Sequence, residues 1–146
     1  MAMRKYGRAG KIWTDDDLLE VASKTMLPRI SFMSDATAGD YFQFTVPFDC
    51  KVLGIDFYQA GDEGTDGEIN IEKWDDVSGT TQAALASAYD IDAGAAAIEA
   101  LTLTTTEADL YLSDGDSINL LVTTACGSSV QCYITIYVET LELVKY

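Results

Sequence analysis

The chain contains no histidine. That absence removes Ser-His-Asp and Cys-His nucleophilic arrangements and every metal site built on imidazole. Nor is there a glycine-rich phosphate loop followed by Lys and Ser or Thr, or a Gly-x-Ser-x-Gly elbow, so nucleotide and acyl-transfer chemistry lack their usual parts. Cysteine is scarce. Cys50, Cys126 and Cys132 make an odd number without Cys-x-x-Cys spacing, which argues against structural zinc and against a disulfide framework, and for synthesis in a reducing cytoplasm. Cys132 lies in phase with Ile134, Ile136 and Val138 and reads as core; a Cys126–Cys132 bridge is the remaining alternative. No stretch reaches the roughly 18 to 20 consecutive apolar residues that span a bilayer, and the opening residues 1–7 lack a hydrophobic signal segment. No cofactor, no metal and no membrane partner are expected.

Positive charge is also scarce, with 9 Lys and Arg against 24 Asp and Glu and a net charge of −15. Its distribution is uneven. Residues 1–29 hold six basic residues (Arg4, Lys5, Arg8, Lys11, Lys24, Arg29) and four acidic ones (Asp15, Asp16, Asp17, Glu20), a net of +2 that leaves −17 on residues 30–146. A body this negative repels phosphate backbones, so no nucleic acid partner is expected.

What is present is enough apolar material for one folded domain. At 146 residues and 48% hydrophobic, the chain is long enough to bury roughly 70% of its unfolded surface. Residues 1–13 read as an extended basic arm. Thr14 before Asp15, Asp16 and Asp17 is an N-cap signature, and Leu18, Leu19, Ala22 and Met26 recur at helical spacing, predicting a short helix that Pro28 stops. From Ile30 the period changes to two. Phe42, Phe44 and Val46 share one face of a strand, with Tyr41, Gln43 and Thr45 on the other. Leu53, Ile55 and Phe57 alternate with Gly54, Asp56 and Tyr58, and Ile69 and Ile71 with Glu68, Asn70 and Glu72. The alanine-rich residues 82–100 read as two strands with a turn at 92–94. Ile118, Leu120 and Val122, then Val130 to Val138, complete the set, and the opposite phase of Leu141 and Leu143 predicts a bulge or a sheet change near Glu139 or Thr140. Eight to ten short strands between Gly, Asp, Ser and Thr turns predict an all-β antiparallel sandwich of the jelly-roll kind over residues 30–146, preceded by the arm and helix of residues 1–29.

Few residues offer chemistry. Asp56, Glu68 and Glu72 are carboxylates on outward strand positions, where a glycosidase pair would need two facing one cleft; solvated charge is the simpler reading. Asp62, Glu63, Asp66 and Glu68, and the turn Asp114-Gly115-Asp116, have oxygen ligands but not the twelve-residue spacing of a helix-loop-helix calcium site. The arm is more informative. Arg4, Lys5, Arg8 and Lys11 precede the first acidic residue and stand beside Tyr6 and Trp13, an anchoring set suited to an acidic partner surface or a neighbouring copy. Outward Tyr41, Tyr58, Tyr133 and Tyr137 fit either subunit contacts or cross-strand pairing.

The arm with its helix, the lead Val46-Pro47-Phe48-Asp49 into Lys51-Val52-Leu53-Gly54-Ile55, and Leu112-Ser113-Asp114-Gly115-Asp116-Ser117-Ile118 before a late strand together resemble the decoration (cement) proteins of tailed-bacteriophage capsids. The resemblance implies a non-enzymatic virion protein made in the host cytoplasm, a homotrimer seated on the major capsid protein at the capsid surface. Two rival readings stay open: a trimeric tail or fibre head binding a host receptor or glycan through its polar loops, and a carbohydrate-active enzyme.

Overall fold

The computed structural model describes residues 24–61, 67–91 and 98–140, together with the backbone of residues 5–6 and 12–13. The strands, in chain order, are β1 (Lys5–Tyr6), β2 (Ile12–Trp13), β3 (Lys24–Met26), β4 (Ile30–Met33), β5 (Gly39–Thr45), β6 (Cys50–Gln59) and β7 (Glu68–Asp75). They continue with β8 (Thr80–Ala84), β9 (Tyr89–Asp90), β10 (Ile98–Ala100), β11 (Tyr111–Leu112), β12 (Ser117–Thr124) and β13 (Gln131–Thr140). A 3-10 turn, Glu107–Leu110, leads into β11.

The strands build a two-sheet antiparallel sandwich. In the first sheet β6 and β13 are central, β10 and β11 follow one another along the free side of β6, and β3 and β4 along the free side of β13. The second sheet runs β5-β12-β7-β8, with β9 also on β7. The pairs β4·β13, β5·β12, β6·β10 and β7·β8 are the successive rungs of one long ribbon folded at β7–β8 and wrapped around the core. That strand order is a jelly roll.

The inward phase of each strand supplies the core: Val52, Ile55 and Phe57 of β6, Ile69 and Ile71 of β7, Ile118, Leu120 and Val122 of β12, and Cys132, Ile134, Ile136 and Val138 of β13 are all buried. Cys132 is core as expected. Two bulges change the expected faces. Tyr137 pairs with Gly54 and Val138 with Val52, so Leu53 is the extra residue; Val52 turns inward and Leu53 is 39% exposed. Ile118 pairs with Phe44 and Asn119 with Phe42, so Gln43 is extra, and Phe42 leaves the phase of Phe44 for the outer face, where it is 56% exposed. An extra residue flips every side chain beyond it.

The expected helix falls mostly on residues 14–23, outside the described residues, but its last turn is corrected. Lys24–Met26 is extended and pairs with Glu139–Tyr137. The open edge of β13 offers a ladder of backbone partners, and pairing there outweighs the helical spacing of the side chains. Pro28 interrupts that edge rather than stopping a helix: Leu27 N–H donates to the Ile136 carbonyl, and pairing resumes at Ile30 with Ile134. A proline, lacking N–H, fits only such an edge position. Residues 82–100 are extended as expected, but in three strands rather than two, since β8 ends at Ala84 and β9 covers only Tyr89–Asp90 before β10; the turn at 92–94 lies outside the described residues, as do Leu141 and Leu143.

The two motif segments meet in space. Val46 N–H donates to the Asp116 carbonyl at 2.7 Å, Gly115 N–H to the Val46 carbonyl at 2.9 Å, and Asp114 N–H to Asp49 Oδ1 at 2.9 Å. Within the turn, the buried Asp116 carboxylate accepts Ser113 N–H at 2.8 Å and Asp76 N–H at 3.1 Å, with Lys73 Nζ at 3.9 Å. The Asp-Gly-Asp turn is thus a structural clasp between the corner after β5, the β7–β8 hairpin and the start of β12.

Candidate functional site

Of the six arm residues singled out in the sequence, Lys5 and Tyr6 form β1 and Trp13 ends β2. The register sets Lys5 opposite Trp13 and Tyr6 opposite Ile12. Arg4, Arg8 and Lys11 lie outside the described residues. Among the described residues β1 and β2 form a two-stranded sheet of their own.

The outer face of the first sheet carries an aromatic strip. Tyr58 and Tyr133, directly paired, stack with centroids 6.0 Å apart and planes at 28°, and the Arg29 guanidinium lies 5.6 Å from the Tyr133 centroid. Ile98, opposite Tyr58, is 73% exposed, and Met26, opposite Tyr137, is 61% exposed. A hydrogen bond to Asp56 holds the Tyr137 phenol above its usual pKa. Tyr41 stands apart from this set, in the phase of Leu120, with its hydroxyl donating to the Thr37 carbonyl at 2.6 Å. Large apolar and aromatic side chains gathered on one exposed face have the composition of an interface core. Met26 and Ile98 were not legible as members, because only strand order brings residues this far apart in sequence onto one face.

The outer face of the second sheet pairs aromatics with acid. Phe42 and Trp74 meet edge to face at 5.6 Å. Beside them the fully buried Asn119 donates from Nδ2 to Asp40 Oδ1 at 2.9 Å and to Glu72 Oε2 at 3.3 Å, and Asn70 Nδ2 reaches Glu72 Oε1 at 3.4 Å. Burial raises the Glu72 pKa, the Asn119 bond opposes that rise, and the Asp40 charge adds to it. The three carboxylates weighed for catalysis do not converge: Asp56 belongs to the outer face of the first sheet and Glu72 to that of the second, with the core between them, and Glu68 opens β7. Among the described residues no three Asp, Glu, Cys or His side chains gather as a metal cluster. The acidic loop residues Asp62, Glu63 and Asp66 lie outside the described residues. Cys50 is core rather than nucleophile, its thiol pushed up to about 11 by burial and by Asp49 and Asp116.

Neither a protein-family model nor a curated protein matches the sequence. In fold, the chain is similar to a chain of the acidic stable capsid of Helicobacter pylori bacteriophage KHP30, with a TM-score of 0.59 at 13% identity over 86% of this chain and 97% of that one. It is also similar to a chain of the cyanophage Pam1 capsid asymmetric unit, with a TM-score of 0.50 at 12% identity over 82% and 85%. A chain of infectious bursal disease virus, Gx strain, gives a TM-score of 0.50 at 12% identity, covering 99% of this chain but 39% of its own. At these identities the likeness is one of fold, and for the two phage capsid chains it runs over most of both partners.

Proposed function

We propose that this protein is a structural, non-enzymatic component of a phage virion that decorates and stabilises the capsid, binding the shell of major capsid protein as a homotrimer with its N-terminal arm as anchor. The observation that carries the reading is the fold likeness to a phage-capsid chain over 86% of this chain. Two features support it. The arm holds Arg4, Lys5, Arg8 and Lys11 while residues 30–146 carry a net −17, so the arm is drawn to acidic surfaces that the body repels. The aromatic strip of Tyr58, Tyr133, Tyr137, Met26 and Ile98 supplies a face for subunit contact. Seating three arms at once gives avidity from modest single contacts.

Co-sedimentation with purified phage heads and with tails tests the proposal. The full chain is expected to pellet with heads and a variant lacking residues 1–13 to stay in solution. Pelleting with tails, or head binding that survives the deletion, sinks the anchor reading; release of sugar from a glycan panel sinks the non-enzymatic one.

A further inference from the structure

Both outer faces of the sandwich carry exposed aromatics, but their charges differ. Six of the nine large hydrophobic side chains left exposed among the described residues, Met26, Met33, Leu53, Ile98, Tyr111 and Tyr137, stand on the outer face of the first sheet. Lys24, Arg29 and Lys51 stand there too, against Asp56, Glu107 and Glu139, so this face is neutral on a body of net −17. The outer face of the second sheet is acidic. Its outward strand positions hold Asp40, Glu68, Glu72 and Asp90 and no Lys or Arg, beside the Phe42–Trp74 pair. Lys73 turns the other way, to Asp116 and the Tyr111 carbonyl. Among the described residues the ion pairs are Lys51–Glu107 and Lys73–Asp116, so Lys24 and Arg29 on one face, and Asp40 and Glu72 on the other, stand outside any salt bridge.

We infer that the outer face of the first sheet of one copy packs on the outer face of the second sheet of the next copy, setting Met26, Arg29 and Tyr133 against Asp40, Phe42 and Trp74. Aromatic and apolar side chains supply the buried centre of such a contact, and opposite charges fix its partner and register. The acidic face packed on itself sets carboxylates against carboxylates, whereas the unlike pairing brings Lys24 and Arg29 onto them. Pairing by sheet edges is the competing mode, and the edges obstruct it. β5 carries the Gln43 bulge, with Gln43 Nε2 donating to the Tyr41 carbonyl at 2.9 Å, and Pro28 breaks the edge between β3 and β4. Those strands are the matching edges of the two sheets, joined by residues 34–38, so both patches border one side of the sandwich. The inference deepens the homotrimer reading and rests on it, because a cyclic trimer is held together by unlike surfaces.

Sedimentation velocity of the free full chain over a concentration series tests the contact. Wild type is expected to assemble, and Arg29→Glu and Asp40→Lys each to weaken assembly about tenfold or more by setting like charges together. Both positions are exposed, so the variants are expected to keep the wild-type fold. The double variant R29E/D40K restores opposite charges across the contact with their signs exchanged, and is expected to regain assembly. The isosteric Asp40→Asn is a milder variant that weakens assembly in the same direction. A monomeric wild type, a single charge reversal that assembles like wild type, or a double variant that stays monomeric overturns the inference. Heads are absent from this measurement, so its failure leaves the capsid reading to be judged by co-sedimentation alone.

Discussion

Asp116 is nearly inaccessible and gathers three groups on one carboxylate: Ser113 N–H of its own turn, and Asp76 N–H and the Lys73 ammonium of the β7–β8 hairpin. Replacing it by alanine strands two part-buried N–H donors and the largely buried Lys73 ammonium, so Asp116→Ala is expected to destabilise the fold by about 3 kcal/mol in denaturant unfolding. Gly67 is a second point of no tolerance. A Cβ there would sit 2.2 Å from Cys126 Sγ, so Gly67→Ala forces the β7 entry away from the loop after β12. The expected loss is about 1–3 kcal/mol, the range for overpacking a filled site. Glu72 links residue chemistry to pH. Its folded pKa lies above the unfolded value, so the folded state holds its proton more tightly and its contribution to stability falls as pH rises through that window. Melting curves at matched ionic strength should show wild type gaining stability relative to Glu72→Gln as pH drops through the carboxylate range; equal pH profiles would contradict the assignment.

Among the elements, the bulges separate what periodicity reads from what pairing decides. Alternation alone places Leu53 with Ile55 and Phe57, and the pairing register of β13 ejects it. Truncation tests this directly. Ile55→Ala is expected to cost about 2–5 kcal/mol as a core deletion, whereas Leu53→Ala should cost less than about 1 kcal/mol, in the range of surface changes. The buried strands β7, β12 and β13 were fully legible, since Ile69 and Ile71, Ile118 to Val122, and Ile134 to Val138 keep strict alternation without interruption. Lys24–Met26 was not, because a segment on an open edge takes its conformation from the neighbour it pairs with. The motif pair around Val46 and Asp116 was legible as a lead between strands and a turn but not as one clasp.

At the scale of the whole molecule, the core among the described residues runs from Leu27 to Val138. If the arm is an anchor, removing residues 1–13 is expected to abolish head binding while the sandwich keeps its unfolding midpoint. Arm docking between opposite charges should also weaken steeply with added salt, because the Debye length falls from about 10 Å at 0.1 M to about 3 Å at 1 M. Shell binding that is indifferent to salt would point to the aromatic strip of the first sheet as the working surface instead.

The fold class, the inward residues of the central strands, the split between a basic arm and an acidic body, and the loss of histidine-based chemistry can all be read from the unfolded chain. These depend on composition and on a period of two, which are local properties of the chain. Tertiary structure alone decided the strand order, the faces of Leu53 and Phe42, the union of Met26, Tyr58, Tyr133 and Ile98 on one surface, and the meeting of Asp40, Glu72, Asn70 and Asn119. Each of these depends on register between strands distant in sequence, and a shift of one residue sends a side chain to the opposite face.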